Sequence, residues 1–259
     1  MSASARVLEN ALISLIVPIY KEEGNIAPFV ERTAPILRKL GTRYEIIFCL
    51  DPSPDNTEQR VRDAIAADPN IGLLVFSRRF GQPAATLAGL KAAKGDAVAV
   101  IDVDLQDPPE LLLQMVPRWQ AGADVVAARR RSRRGETHFK TWISSLGYWL
   151  INRASDVAIP RETGDFRLMS RRVVNHVIAL REKHGFLRGL VAFVGFKQEF
   201  IEFDRSERAD GEGKYNRYTG SLRIGFNGLI GFSNFLLDGT LLVGLVVAGA
   251  AFLGAVFIL

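Results

Sequence analysis

A chain of 259 residues with 48% hydrophobic content can bury one substantial core and carry an appendage, which excludes a disordered protein. The formal net charge of +5 and the pI near 9.5 suit nucleic acid, an anionic membrane surface or phosphorylated substrates about equally. The single cysteine, Cys49, excludes an internal disulfide and a multi-cysteine zinc cluster, points to a reducing compartment, and reads as a small buried hydrophobe on a strand.

The N-terminal apolar run, roughly nine residues long, is too short to span a bilayer and is no signal peptide. Continuous apolar runs then follow at Ile13 to Tyr20, Tyr44 to Leu50, Ile71 to Ser77 and Ala97 to Asp102, as expected of strands covered on both faces. Helix-length segments lie between them, near Asn25 to Leu40, Asn56 to Ala67 and Gln82 to Lys94. Strand and helix in alternation predict a parallel α/β sheet with right-handed crossovers, and ligands gather at the carboxyl ends of its strands.

Those ends read "VPIYKEEGN", "LDPSPDNT", "SRRFG" and "DVDLQDPPE", and a fifth strand, Ala123 to Ala128, runs into "RRRSRRGE". No glycine-rich dinucleotide or phosphate loop follows any strand, so phosphate charge must be neutralised otherwise, and a metal ion held by carboxylates would do so. In an extended chain Asp102 and Asp104 project from one face, with Gln106 in phase. Two adjacent carboxylates repel unless a cation joins them, and Mg2+ takes such oxygen ligands with phosphate completing its shell. The plainer alternative is a pair of solvated turn aspartates. Asp107, followed by Pro108 and Pro109, reads as a helix N-cap.

Most of the arginines from Arg129 to Arg134 read as a solvated face, but one at a strand's carboxyl end is placed to bind phosphate. Past Arg134, Phe139, Trp142, Ile143, Leu146, Trp149 and Leu150 recur at helical spacing, and this holds two of the three tryptophans. The segment from about 139 to 153 is therefore expected to lie in a membrane interface, an ordinary core-facing helix being the alternative. Lys140 and Ser144 share one of its faces and, with Arg129, are placed to hold an anion there. "GDFRLMSRRVV" and "FDRSERADGEGKYNRYTG" read as loops around short elements, and Ser221 to Leu237 as an amphipathic approach to the end. Thr240 to Leu259 is uncharged and long enough to span a bilayer. The expected organisation is a catalytic domain over 1–212, a juxtamembrane segment over 213–238 and a transmembrane helix over 239–259, the sequence reading as a piece cut before a second one. Lys214, Arg217 and Arg223 put the domain on the cytoplasmic side of the cell membrane. Nucleic acid is excluded as partner, because the aromatics lie on the interfacial helix rather than on a strand platform and the span would have no role.

Taken in order and spacing, "VPIYKEEGNI", "DPSPDNT", "SRRFGQPAATLAGLKAAKGD", "DVDLQDPPE", "RRSRRGET", "TGDFRLM" and "GEGKYN" resemble the polyprenyl-phosphate glycosyltransferases of glycosyltransferase family 2, which include bactoprenol glucosyltransferases and dolichyl-phosphate mannose synthases. The resemblance runs from about Ser14 to the span, and the wording of two motifs is closer to the bacterial glucosyltransferase branch. It implies a GT-A fold, Rossmann-like with a mostly parallel sheet, followed by interfacial helices and transmembrane helices. It also implies an inverting, Mg2+- or Mn2+-dependent transfer of a hexose from a nucleotide sugar to polyprenyl phosphate.

By position, the resemblance assigns Pro18, Tyr20, Glu22, Asp51 and Asp102 to the nucleotide, and Asp102, Asp104 and Gln106 to the metal. It makes Asp165, with Asp104, catalytic, gives Arg129, Lys140 and Ser144 to the lipid phosphate, and places Arg208 and Lys214 in a loop over the donor. The chain departs from the pattern in two places. Leu50, Asp51, Pro52 and Ser53 replace a double aspartate followed by glycine and serine, and Gly213 replaces a hydroxyl residue. UDP-glucose and undecaprenyl phosphate are the favoured substrates, with membrane lipid as surroundings and a homo-oligomer compatible. GDP-mannose or a modified sugar is the alternative donor. An inactive scaffold is disfavoured because Asp104 and Asp165 are both present. A processive synthase is disfavoured because Q-x-x-R-W is absent from the sequence.

Overall fold

The expected strands pair as one sheet in the computed structural model, which describes residues 10–131, 160, 163–181, 187–204 and 235–258. The chain divides into two units, Met1–Arg134 with Pro160–Gly213, and Gly135–Ile159 with Lys214–Leu259. The first unit opens as β1 (Leu12–Ile19), α1 (Ile26–Lys39), β2 (Arg43–Leu50), α2 (Thr57–Ala67), β3 (Ile71–Val75), α3 (Gln82–Ala92) and β4 (Ala97–Val100). A single 3-10 turn at Pro109–Leu111 leads into α4 (Leu112–Gln120) and β5 (Val125–Arg130). Then come β6 (Thr163–Ser170), α5 (Arg171–Ala179), α6 (Leu187–Phe193) and β7 (Gln198–Phe203).

The strand order is β3-β2-β1-β4-β6-β5-β7. β1 pairs in parallel with β2 and β4, and β2 with β3, as expected; β5 pairs in parallel with β7, a strand not expected from the sequence. β6 runs antiparallel between β4 and β5. This corrects the reading of "GDFRLM" as a loop. Its polar Asp165 and Arg167 broke the apolar run, yet most of the strand is buried. Helices α1 and α4 cover one face through Phe29, Leu37, Met115, Val116 and Trp119, while α3, α5 and α6 pack on the other.

Two close approaches explain local sequence. A Cβ on Gly89 of α3 would lie 2.8 Å from Cys49 Sγ and against Ile16, so this helix packs backbone-first on β1 and β2. Cys49 is fully buried, and burial pushes its thiol up to about 12, so it is the inert small hydrophobe expected. Inside β1, Ser14 is also fully buried; its hydroxyl donates to Glu45 Oε1 at 2.5 Å and accepts from Gly95 N at 2.7 Å. A Cβ on Gly95 would meet Ser14 N at 2.6 Å and Leu12 O at 2.7 Å, both backbone atoms that cannot swing aside. Gly95→Ala is expected to cost about 2–3 kcal/mol, an overpacking penalty. Thermal unfolding should show it as a Tm lower by roughly 5–10 °C.

In the second unit the described residues form one helix, α7 (Phe235–Ile258). Its 19 residues from Gly239 to Phe257 are long and apolar enough to cross a membrane, and none of that stretch is buried inside the protein. The expected interfacial helix at 139–153 and almost all of the juxtamembrane segment lie outside the described residues.

Candidate active site

The carboxyl ends of β1, β2 and β4 share one edge of the sheet, and the turns that follow them are tied to one another. After β1, Lys21 N donates to Ser53 Oγ at 2.8 Å and Glu22 N to Thr57 Oγ1 at 2.8 Å, while Asn56 N donates to Glu23. Lys21 itself takes φ 55°, a left-handed backbone uncommon for a residue with a Cβ. Pro18 lies past the last β1–β4 pair, Ile16 with Val100, so its missing N–H costs that ladder nothing. Tyr20 is half-buried, and the Arg79 guanidinium stacks 4.0 Å from its ring centre.

Asp51 directly follows β2, with its carboxylate buried. Its two oxygens accept Phe80 N at 3.0 Å and Gly81 N at 2.8 Å, so it holds the "SRRFG" loop and the start of α3. That bridging role is additional to the nucleotide contact expected of it. Next along, Gln82 Nε2 donates to Asp102 Oδ1 at 2.8 Å, which ties the same helix to the acidic turn.

The acidic stretch is not the extended strand end that the alternation argument assumed. β4 stops at Val100, and Val103 to Asp107 form turns and bends with Leu105 in the left-handed region at φ 57°. Asp104 is buried, and its Oδ1 accepts Gln106 N at 3.2 Å, which closes the turn. The helix start also shifts: Pro108 is the N-cap and no side chain caps it, while buried Asp107 lies 3.5 Å from Arg130 Nη2. Asp107 is therefore not the N-cap expected. Pro108 is itself extended, so the first turn begins one residue later and Asp107 faces inward.

The antiparallel β6 completes the cluster. Its last pair with β4 is Val100 with Arg167, and Asp165, two residues before Arg167 on β6, is near enough for its charge to act on Asp102 just past the end of β4. Asp165 Oδ1 accepts Arg188 Nε at 3.0 Å. Burial pushes Asp165 up, but Arg188, Arg167 and Arg130 together outweigh it and hold the carboxyl below its usual range. Burial and the neighbouring Asp165, Asp104 and Asp107 push Asp102 up to about 7, against the opposing pull of Arg130. Such crowding is relieved by a cation, and Asp102, Asp104 and Gln106 supply the hard oxygen donors a divalent ion takes. Among the described residues no group of three or more His, Cys, Asp or Glu side chains is arranged to hold a metal ion by itself.

Arg129 lies within β5, which runs two residues further than expected, and its guanidinium stacks 3.8 Å from the Phe200 ring centre. Lys140, Ser144, Arg208 and Lys214 fall outside the described residues. Sequence reasoning missed Gln82, Arg130, Arg167 and Arg188. The alternation of Asp165 and Arg167 would have marked a shared face had β6 been recognised as a strand. Arg188 reaches the site only through the fold.

A mostly parallel sheet with one antiparallel strand, an acidic turn after β4 and a facing aspartate on that strand define a glycosyltransferase of the GT-A fold. The model of glycosyl transferase family 2 matches residues 14–178, and the chain belongs to that family. It is 40% identical to an uncharacterised glycosyltransferase, YkcC, of Bacillus subtilis, over 93% of this chain and 74% of that one. It is 39% identical to a prophage bactoprenol glucosyl transferase homolog of Escherichia coli, over 93% and 78%. Among solved structures, glucosyl-3-phosphoglycerate synthase of Mycobacterium tuberculosis, in complex with Mn2+, UDP and glucosyl-3-phosphoglycerate, shares the fold at TM-score 0.59 and 20% identity, over 86% and 78%. The mannosyltransferase PcManGT of Pyrobaculum calidifontis, in complex with GDP-Man and Mn2+, shares it at TM-score 0.52 and 18% identity, over 84% and 61%.

Proposed function

We propose that this glycosyltransferase moves glucose from UDP-glucose to a polyprenyl phosphate, undecaprenyl phosphate, at the cytoplasmic face of the cell membrane, with inversion at the anomeric carbon. The observation that carries the reading is the gathering of Asp165 of β6 with Asp102 and its acidic turn at the end of β4, in a chain whose α7 is suited to a bilayer. The names of its bactoprenol glucosyl transferase relatives support a prenyl phosphate acceptor and glucose.

A divalent cation, Mg2+ or Mn2+, held by Asp102, Asp104 and Gln106 would supply positive charge against the donor's diphosphate. Tyr20, Glu22 and Asp51 line the ends of β1 and β2 where the nucleoside is expected. A phosphate oxygen of the acceptor attacks the anomeric carbon as the bond from that carbon to the diphosphate breaks, and the electron pair leaves with the nucleoside diphosphate. The acceptor is already anionic, so no strong base is needed. Asp165, held as a carboxylate by three arginines, orients the sugar and acceptor for an in-line approach. The family resemblance gives Arg129, Lys140 and Ser144 to the acceptor phosphate and Arg208 and Lys214 to the donor, and we keep those assignments.

A nucleotide-release screen with undecaprenyl phosphate and Mn2+ tests the donor: UDP-glucose is expected to be fastest. Faster release from GDP-mannose would reassign the sugar, and no acceptor-dependent release from any donor would overturn the reading.

The raised Asp102 carries a linked prediction. The metal-free fold binds this proton more tightly than the unfolded chain, so the contribution is fully present below the unfolded value of about 3.9 and lost as pH rises to about 7. The Tm in detergent without metal is expected to fall between pH 5 and pH 8. Mn2+ should restore it at pH 8 and do little at pH 5.

A further inference from the structure

Asp165 is served by three arginines, but they do not serve it alike. Arg130 and Arg167 act on it by charge alone. Arg167 is fully buried on β6, and its Nη2 donates to Gly164 O at 2.9 Å. Among the described residues, the one hydrogen bond to the Asp165 carboxylate comes from Arg188 Nε, at 3.0 Å, from α6 on the same side of the sheet as α3. Their side chains are 22% and 27% exposed, so the pair is part-buried.

An ion pair in this setting is a weak source of stability, because desolvation offsets most of its Coulomb attraction. It is a strong constraint on direction. A hydrogen bond to Oδ1 fixes the rotation of the carboxylate and leaves Oδ2 to face the reacting groups, and holding such a group within a fraction of an ångström is worth far more to rate than to stability.

We propose that Arg188 is a positioning residue, whose bond to Oδ1 aims Oδ2 of Asp165 at the sugar and acceptor. The inference rests on the glycosyl transfer proposed above and adds to it a residue remote in sequence from every motif of the site. Arg188 acts through Asp165, so its loss slows the chemical step without weakening donor binding.

The test is steady-state kinetics on the full chain in detergent with undecaprenyl phosphate, Mn2+ and UDP-glucose. Arg188→Gln is expected to lower kcat by about 30- to 100-fold, with KM for the donor within about 2-fold of wild type. Arg188→Lys, which keeps a charged donor but not the guanidinium geometry, should recover to within about 10-fold of wild type. The combination Asp165→Asn with Arg188→Gln should be no slower than Asp165→Asn alone, since both changes break one unit. Wild-type kcat in Arg188→Gln, a loss expressed in donor KM, or losses that multiply in the double variant would each overturn the proposal. If Arg188→Gln fails to fold, as judged by circular dichroism, Arg188→Lys decides: a kcat lowered about 3- to 10-fold at unchanged donor KM is expected, and a kcat equal to wild type, or a loss expressed in donor KM, would overturn the proposal. Failure of the underlying reading looks different: wild type makes no lipid-linked sugar, or Asp165→Asn keeps full activity.

Discussion

Asp104→Asn is expected to lower kcat/KM for sugar transfer by about a thousandfold or more, the scale of removing a metal's charge stabilisation from a departing diphosphate. The substitution is nearly isosteric, and its carbonyl oxygen still accepts the bond from Gln106 N that closes the turn. Only the negative charge is lost. With Asp102 and Asp165 still crowding the turn, removing one carboxylate relieves repulsion in the metal-free fold, so Tm without metal should hold or rise. The stabilisation by Mn2+ should shrink. Nucleotide release and thermal unfolding, each with and without Mn2+, check both halves. Full activity in Asp104→Asn would show that the turn does not hold the metal.

Asp165→Asn is expected to cost about a thousandfold in kcat, with donor KM little changed, because its part is played on the reacting groups rather than on the nucleotide. This variant differs from the first in its structural cost. It removes the carboxylate that Arg188 bonds and on which Arg167 and Arg130 act by charge. Losing one partner of a part-buried charge pair costs about 1–3 kcal/mol, and unfolding in detergent should show it. Asp104→Asn and Asp165→Asn thus separate by stability while both lose activity.

How far the site could be read from the sequence depended on how local its logic was. The runs at β1, β2 and β4 are continuous and apolar because both faces of these parallel strands are covered, so they were plain in the sequence, and the edge strand β3, only partly buried, keeps an apolar run as well. β6 was not legible. It carries Asp165 and Arg167 inside an otherwise buried strand, and what makes those charges tolerable is their attraction to each other, the Arg167 bond to Gly164 O and the bond from Arg188, far along the chain. Asp102 and Asp104 were found by type and place, though the geometric reason differed: a turn with Leu105 in the left-handed region brings them together, not strand alternation. Arg130 read as part of a solvated run, yet β5 continues through it and Asp107 lies 3.5 Å away. Arg188 had no signal at all, since only the packing of α6 beside the sheet brings it to Asp165.

The measurement that bears most directly on the central claim is transfer of label from UDP-glucose into lipid. The full chain, in detergent or nanodiscs with undecaprenyl phosphate and Mn2+, is expected to yield an organic-soluble glucosyl lipid. The same reaction with chelator, or with Asp104→Asn, is expected to yield almost none. Absence of any lipid-linked sugar across UDP-glucose, GDP-mannose and modified donors, from protein shown to be folded, would contradict the account.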